Sequence, residues 1–284
     1  MSTTHRINSG SAGVVTATVR RCLLNVATSL KLLVRPVRIH AAPPVPVAWG
    51  QVALAGAAIV AALVLGFAYV DAPAINGLPN LPRWVVAFFQ KITDFGKGAW
   101  FLWPLGLLFL FLAALPRTIS RTSEGVLDAV MARVGFLFVA IGLTGLMAAI
   151  VKNMIGRARP GVSGVVDPYL FDPFHWAPAY ASFPSGHTTT AFVALAAIAM
   201  LWPRARTVLL IYAVLMGVSR VVIAAHHPTD VMAGALFGIA GAVLVRRWFA
   251  SRRLGFSIGS DGTVYRFAGP SVRRIKTLAR ELLS

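Results

Sequence analysis

Six apolar stretches, at residues 52–70, 99–115, 134–151, 188–201, 207–225 and 231–245, constrain this chain more than any other feature. A helix needs about 18–20 apolar residues to cross the hydrocarbon core of a bilayer, and most of the six approach that length. With 57% of residues apolar and only 13% charged, a soluble globule would leave apolar surface uncovered, so the bilayer is the natural solvent. The expected fold is all-α: a polytopic bundle of about six transmembrane helices over residues 49–248, with basic tails at 1–48 and 249–284. The fourth stretch is short and needs its flanks to reach across. Pro104 and internal glycines interrupt others, which neighbouring helices tolerate by satisfying the backbone. The single cysteine, Cys22, has no partner, so disulfides play no part.

A net charge of +18 raises nucleic acid as a partner, but the distribution argues against it. Arginines and lysines fill the tail before the first stretch, the links between the second and third and between the fourth and fifth, and the tail after the sixth. By the positive-inside rule both termini are cytoplasmic, and the loops after spans one, three and five face outward. No basic soluble domain is visible, so nucleic acid is not an expected partner. Nothing in the sequence speaks to oligomeric state.

Residues 19–39 either lie on the anionic cytoplasmic leaflet or belong to a disordered basic tail. Residues 81–92 mix Trp84, Phe88 and Phe89 with Arg83 and Lys91, the pattern of an interfacial helix. Residues 256–267 predict a hairpin around Asp261-Gly262, and residues 271–283 a short basic amphipathic helix.

The topology exposes an anomaly. Lys152, Arg157, Arg159 and Arg220 fall on or near the outward side, and Arg220 has five more apolar residues between it and the outer end of its span. Ionisable groups at such depth are costly and face a polar cavity or a partner. The same side carries His187, His226, His227 and Asp230. Lys152 is followed after six residues by Arg159-Pro160; next comes Pro184-Ser185-Gly186-His187; Ser219-Arg220 is followed after five residues by His226, with Asp230 four positions on.

In these residues the chain resembles the type 2 phosphatidic acid phosphatases, whose active-site architecture is shared with vanadium haloperoxidases. The tripartite signature of that family is matched at every fixed position, over roughly residues 99–245, with the tails outside it. The resemblance implies a phosphorylated lipid as substrate, no cofactor, and a site at the periplasmic side of a bacterial-type inner membrane. It implies His226 as nucleophile. Relatives act on undecaprenyl diphosphate, phosphatidylglycerol phosphate, phosphatidic acid or lipid A phosphates, and motifs that read only phosphate do not choose among them.

Chemistry supports the same roles. A phosphoryl group in flight is stabilised mainly by positioning and fixed charge. Lys152, Arg159 and Arg220 supply that charge, the arginines as forks. Ser185 and the Gly186 N–H open a helix, where free N–H groups favour anions. Asp230 can hold the second ring nitrogen of the nucleophile, and His187 can act as general acid and then base. His227 is a rival for nucleophile, three residues from Asp230. Arg157 lies outside the signature, either touching substrate or lining the rim. The aromatic loop at 161–183 either covers a lipid or rests on the interface.

A zinc site built on His226, His227 and Asp230 is the competing chemistry. Metal sites for phosphates draw on several carboxylates, and here cations crowd the few acids, so no metal is expected. Two other readings keep the fold: a lipid phosphotransferase using the same phosphohistidine, and a non-catalytic lipid-binding protein. A haloperoxidase is disfavoured, since that chemistry is housed in soluble proteins.

Overall fold

The structure is a computed structural model that describes residues 48–116 and 119–283, with short stretches of 19–37 before them. Residues 1–18 of the N-terminal tail lie outside the described residues; within 19–39 the described stretch 23–28 is helical, and the Asn25 side chain donates to the Leu115 carbonyl at 3.2 Å. Helix α1 (Trp49–Tyr69) is followed by the short α2 (Asp71–Asn76), then α3 (Arg83–Ile92) and α4 (Ala99–Ala114). Next come α5 (Arg121–Ile155), α6 (Gly186–Leu201), α7 (Arg206–Val222) and α8 (Pro228–Ser251). All six apolar stretches are helical over most of their length; the fifth ends at Val222 and not at 225, so Arg220 stands in the last turn of its helix. Among the described residues five segments are long and apolar enough to cross a membrane, counting α3 and α4 with the turn between them as one. The shorter apolar α6 has 16 residues. The chain is a multi-pass membrane protein.

Helix α5 begins well before residue 134, where hydropathy alone placed its start. Ser120 caps it by accepting a hydrogen bond from the Ser123 N–H at 3.3 Å, and Glu124 sits in its first turn, both of which favour a helix N-terminus. Arg133, expected in a loop, lies inside this helix and is 9% exposed. Its guanidinium donates to the carbonyls of Ala129, Phe267 and Ala268 at 2.6, 3.0 and 2.9 Å, so both terminal nitrogens of a buried charge find partners.

Those carbonyls belong partly to the C-terminal tail. Strands β1 (Phe256–Ile258) and β2 (Val264–Arg266) pair antiparallel around Asp261-Gly262, with Ser257 opposite Tyr265. Phe256 packs edge-on against Phe136, 4.9 Å between centroids. Arg246 donates to the Val264 carbonyl and Arg266 to that of Leu201. Helix α9 (Val272–Leu283) buries Leu278, and Glu281 accepts from Ser120.

In lipid no hydrophobic effect pulls helices together, so small residues that let backbones approach carry the packing. Gly234 and Gly238 of α8 face α6: a Cβ on Gly238 would lie 2.7 Å from the Thr189 carbonyl oxygen and 2.8 Å from the Val193 nitrogen. Backbone cannot yield as a side-chain tip can. Gly238→Ala is expected to cost about 1–3 kcal/mol, read as a lower thermal midpoint in detergent; an unchanged midpoint would mean the two helices separate freely.

Candidate active site

The site collects at one end of α5 to α8. Lys152 occupies the last turn of α5, which ends at Gly156 with φ +64°. A side chain there would overlap the Asp172 carbonyl, so the left-handed turn admits only glycine. The turn sends residues 157–159 back under the 161–183 loop: Ala158 N–H donates to Leu170 and Arg159 N–H to Ala179. Some of the loop's aromatics pack on α1, while Phe174 and Trp176 stay exposed. Phe171 and Phe183 pack on Phe67 of α1 at 6.4 and 5.9 Å.

Helix α6 opens with Ser185 at its N-cap and Gly186 at its first position. A Cβ on Gly186 would lie 2.9 Å from the Lys152 Nζ, so the ammonium rests against this helix N-terminus. Ser185 N–H donates to the Asp230 carbonyl at 3.0 Å, which ties α6 to α8. The His187 ring lies against Gly96, where a Cβ would sit 3.0 Å from its Cδ2. Beside it is a cavity of about 470 Å³ lined by Gly98, Leu102, Gly142, Gly145 and Leu146 as well as Lys97 and His187.

Helix α7 delivers Arg220, which is 7% exposed and donates to the Thr93 hydroxyl at 2.7 Å. The turn after α7 places Ala224 at φ +54°, a conformation that costs a non-glycine residue about 1–2 kcal/mol. In return the His226 N–H reaches the Arg220 carbonyl at 3.1 Å, fixing nucleophile candidate and cation together.

His226 is 1% exposed. Its Nδ1 lies 3.6 Å from Asp230 Oδ2 and 3.3 Å from the Ser182 hydroxyl, which itself donates to Asp230 at 2.6 Å. The geometry makes Ser182 the bridge: Nδ1–H donates to Ser182, and Ser182 donates to the carboxylate. That assigns the Nδ1–H tautomer and leaves the Nε2 lone pair free. Burial pushes the His226 pKa down to about 4, against the pull of Asp230; Arg159 and Arg220 add to the depression. The ring is therefore neutral at ordinary pH.

His227 is the N-terminal cap of α8, and both its ring nitrogens are sealed from solvent. Its N–H donates to Asp230 Oδ2 at 2.8 Å. Arg157, expected at the rim or on substrate, is at neither place. It is 0% exposed and lies behind Asp230.

The structure thus gathers Lys152, Arg159, Ser185, Gly186, His187, Arg220, His226 and Asp230 at one end of the bundle. Sequence reasoning missed Asp71, Thr93, Ser182 and Thr229. Asp71 carried a signal, as a lone acid at the end of an apolar run; the three hydroxyls carried none. Among the described residues no three His, Cys, Asp or Glu side chains gather as a metal-ligand set.

A family model described as the PAP2 superfamily matches residues 133–254, which include all eight of those positions. The lipid A 1-phosphatase of Rhizobium johnstonii is 35% identical over 203 residues, covering 71% of this chain and 82% of the relative. Phosphatidylglycerophosphatase B of Escherichia coli is 39% identical over 87 residues, 28% of this chain and 34% of that protein. The crystal structure of Aquifex aeolicus LpxE is similar at 25% identity and a TM-score of 0.44, covering 63% of this chain and 95% of that one. The chain belongs to the PAP2 superfamily. It is, with that family, a membrane lipid phosphatase.

Proposed function

We propose that this protein hydrolyses a phosphomonoester on a lipid A-type glycolipid, through a phosphohistidine on His226, at the periplasmic face of the inner membrane and without a metal. The observation that carries the mechanism is the His226 ring: Nδ1 engaged by Ser182 and Asp230, Nε2 free, and Arg220 held alongside. Nε2 attacks phosphorus while the equatorial oxygens are met by Lys152, Arg159, Arg220, Ser185 and the Gly186 N–H. His187 protonates the departing lipid oxygen. It then takes a proton from water, whose oxygen attacks phosphorus; the N–P bond breaks and the pair returns to Nε2. Asp230 stays ionised and stabilises the positively charged ring, as in a Ser-His-Asp triad.

The glycolipid assignment is supported by the 35% identity to a lipid A 1-phosphatase across most of both chains. The cavity beside His187, partly apolar and kept open by glycines, is suited to the lipid side of the leaving group. Three cations around the phosphate position oppose a divalent ion by simple repulsion.

Phosphate release by purified protein in excess EDTA, measured across lipid A, phosphatidylglycerol phosphate, phosphatidic acid and undecaprenyl diphosphate, tests both parts. Release that survives chelation, with lipid A turned over best, is the expected result. Loss of release in EDTA would restore the metal reading; preference for another lipid would move the substrate within the family. Release that needs a second lipid as acceptor would make the enzyme a phosphotransferase.

A further inference from the structure

Arg157 and Asp71 form a buried charge system that the mechanism above does not use. Both are 0% exposed. The Arg157 fork is fully engaged: one terminal nitrogen donates to Asp230 Oδ1 at 2.5 Å and to the Thr229 hydroxyl at 2.8 Å, the other to Asp71 Oδ2 at 2.7 Å, and Nε to the Pro168 carbonyl at 3.1 Å. The Phe67 ring lies 4.0 Å from the guanidinium centre. Asp71 is equally saturated, accepting from the Thr229 N–H and hydroxyl at 3.0 and 2.5 Å. No atom of either residue is left to meet a substrate.

Buried ions persist when paired and hydrogen-bonded, so a structural strut would account for the contacts. The charge balance suggests more. Arg157 alone beside Asp230 would cancel the carboxylate whose negative charge His226 needs when its ring becomes cationic. Asp71 on the other side of the fork answers the Arg157 charge, so the trio keeps one net negative charge facing His226. We propose that Asp71 and Arg157 are positioning residues that act through Asp230, Arg157 orienting its carboxylate and Asp71 preserving its charge. The proposal rests on the phosphohistidine reading of His226.

The other groups around His226 do not duplicate this system. Ser182 is neutral, and His227 is enclosed with its Nδ1 3.4 Å from Asp230 Oδ2, while Arg159 and Arg220 bear on the ring as cations, as does Lys152 on Asp230. His187 is near enough to interact with His226, and Asp94 faces Arg220 and Lys97. Asp71 is therefore the second anion of this neighbourhood tied to Asp230 through a shared cation.

The test is the pH dependence of phosphate release from one lipid by three full-length variants in detergent. The acid limb of kcat/KM reports protonation of His226 in the free enzyme, and any titration of the substrate is common to all variants. Asp71→Asn removes an anion but keeps the shape. It is expected to lower kcat about 10-fold with KM little changed, and to move the acid limb to lower pH by about half a unit. Arg157→Gln removes a cation and is expected to move the limb to higher pH. Asp71→Asn combined with Arg157→Gln restores the net charge. Its limb is expected back near the wild-type position, with kcat above that of Arg157→Gln, although it has lost more contacts.

A strut without an electrostatic role predicts no opposed shifts and a double variant no better than the worse single one. Either result overturns the proposal. If Arg157→Gln does not fold, Asp71→Asn and the double variant still decide. Wild-type release that vanishes in His226→Ala tests the mechanism separately, so a failure of that reading is distinguishable from a failure of this one.

Discussion

His226→Ala is expected to lose phosphate release by on the order of 10⁴-fold or more, with its thermal midpoint little changed. Hydrolysis without the imidazole has no nucleophile fixed at phosphorus, and the remaining cations can only bind the anion or orient water. Retained folding is expected because the side chain's polar contacts are long, 3.3 Å to Ser182 and 3.6 Å to Asp230, and its backbone N–H to Arg220 survives the substitution. The comparison that gives the result meaning is His227→Ala. His227 sits at the same turn, yet its ring nitrogens are enclosed, so that variant is expected to be impaired chiefly through folding. Labelled phosphate trapped on the protein by rapid quenching, stable in alkali and labile in acid, should be absent only from the His226 variant. Label retained in His226→Ala and lost in His227→Ala would reverse the assignment.

How much of this was legible beforehand follows from what each feature depends on. The helices were readable because a bilayer imposes length and apolarity locally, residue by residue. The same measure failed at the start of α5, where Ser120 and Glu124 continue the helix through charged turns that hydropathy takes for loop. The site's charged residues were readable because they interrupt or flank apolar runs at fixed spacing. Their supports were not. Thr93 lies between α3 and α4 and meets Arg220 across more than a hundred residues of chain. Ser182 joins His226 to Asp230 only because the loop at 161–183 folds back under α8. Serines and threonines are common, and nothing in composition marks the one that tertiary structure will select. Arg157 shows the opposite error: a cation near a phosphate motif invites a phosphate, whereas two buried carboxylates claimed it first.

Arg220 has no such competing carboxylate in contact. Among the described residues its guanidinium donates to one neutral hydroxyl, that of Thr93, and its Nε has no protein partner. A buried cation with spare donors is aimed at an anion that the resting protein does not supply, and in a membrane span that arrangement is expensive unless it serves a site. Arg220→Ala is therefore expected to slow kcat by about 10²–10³-fold, the range for removing one donor that matches developing transition-state charge. KM should change less, because the ground-state phosphate keeps Lys152 and Arg159. Arg220→Lys should recover only part of the loss: an ammonium restores the charge but not the planar fork, and it cannot bond Thr93 and two phosphoryl oxygens in one geometry. Near-wild-type kcat in the alanine variant, with the fold intact, would place Arg220 outside the reacting centre and leave Lys152 and Arg159 to carry the charge alone.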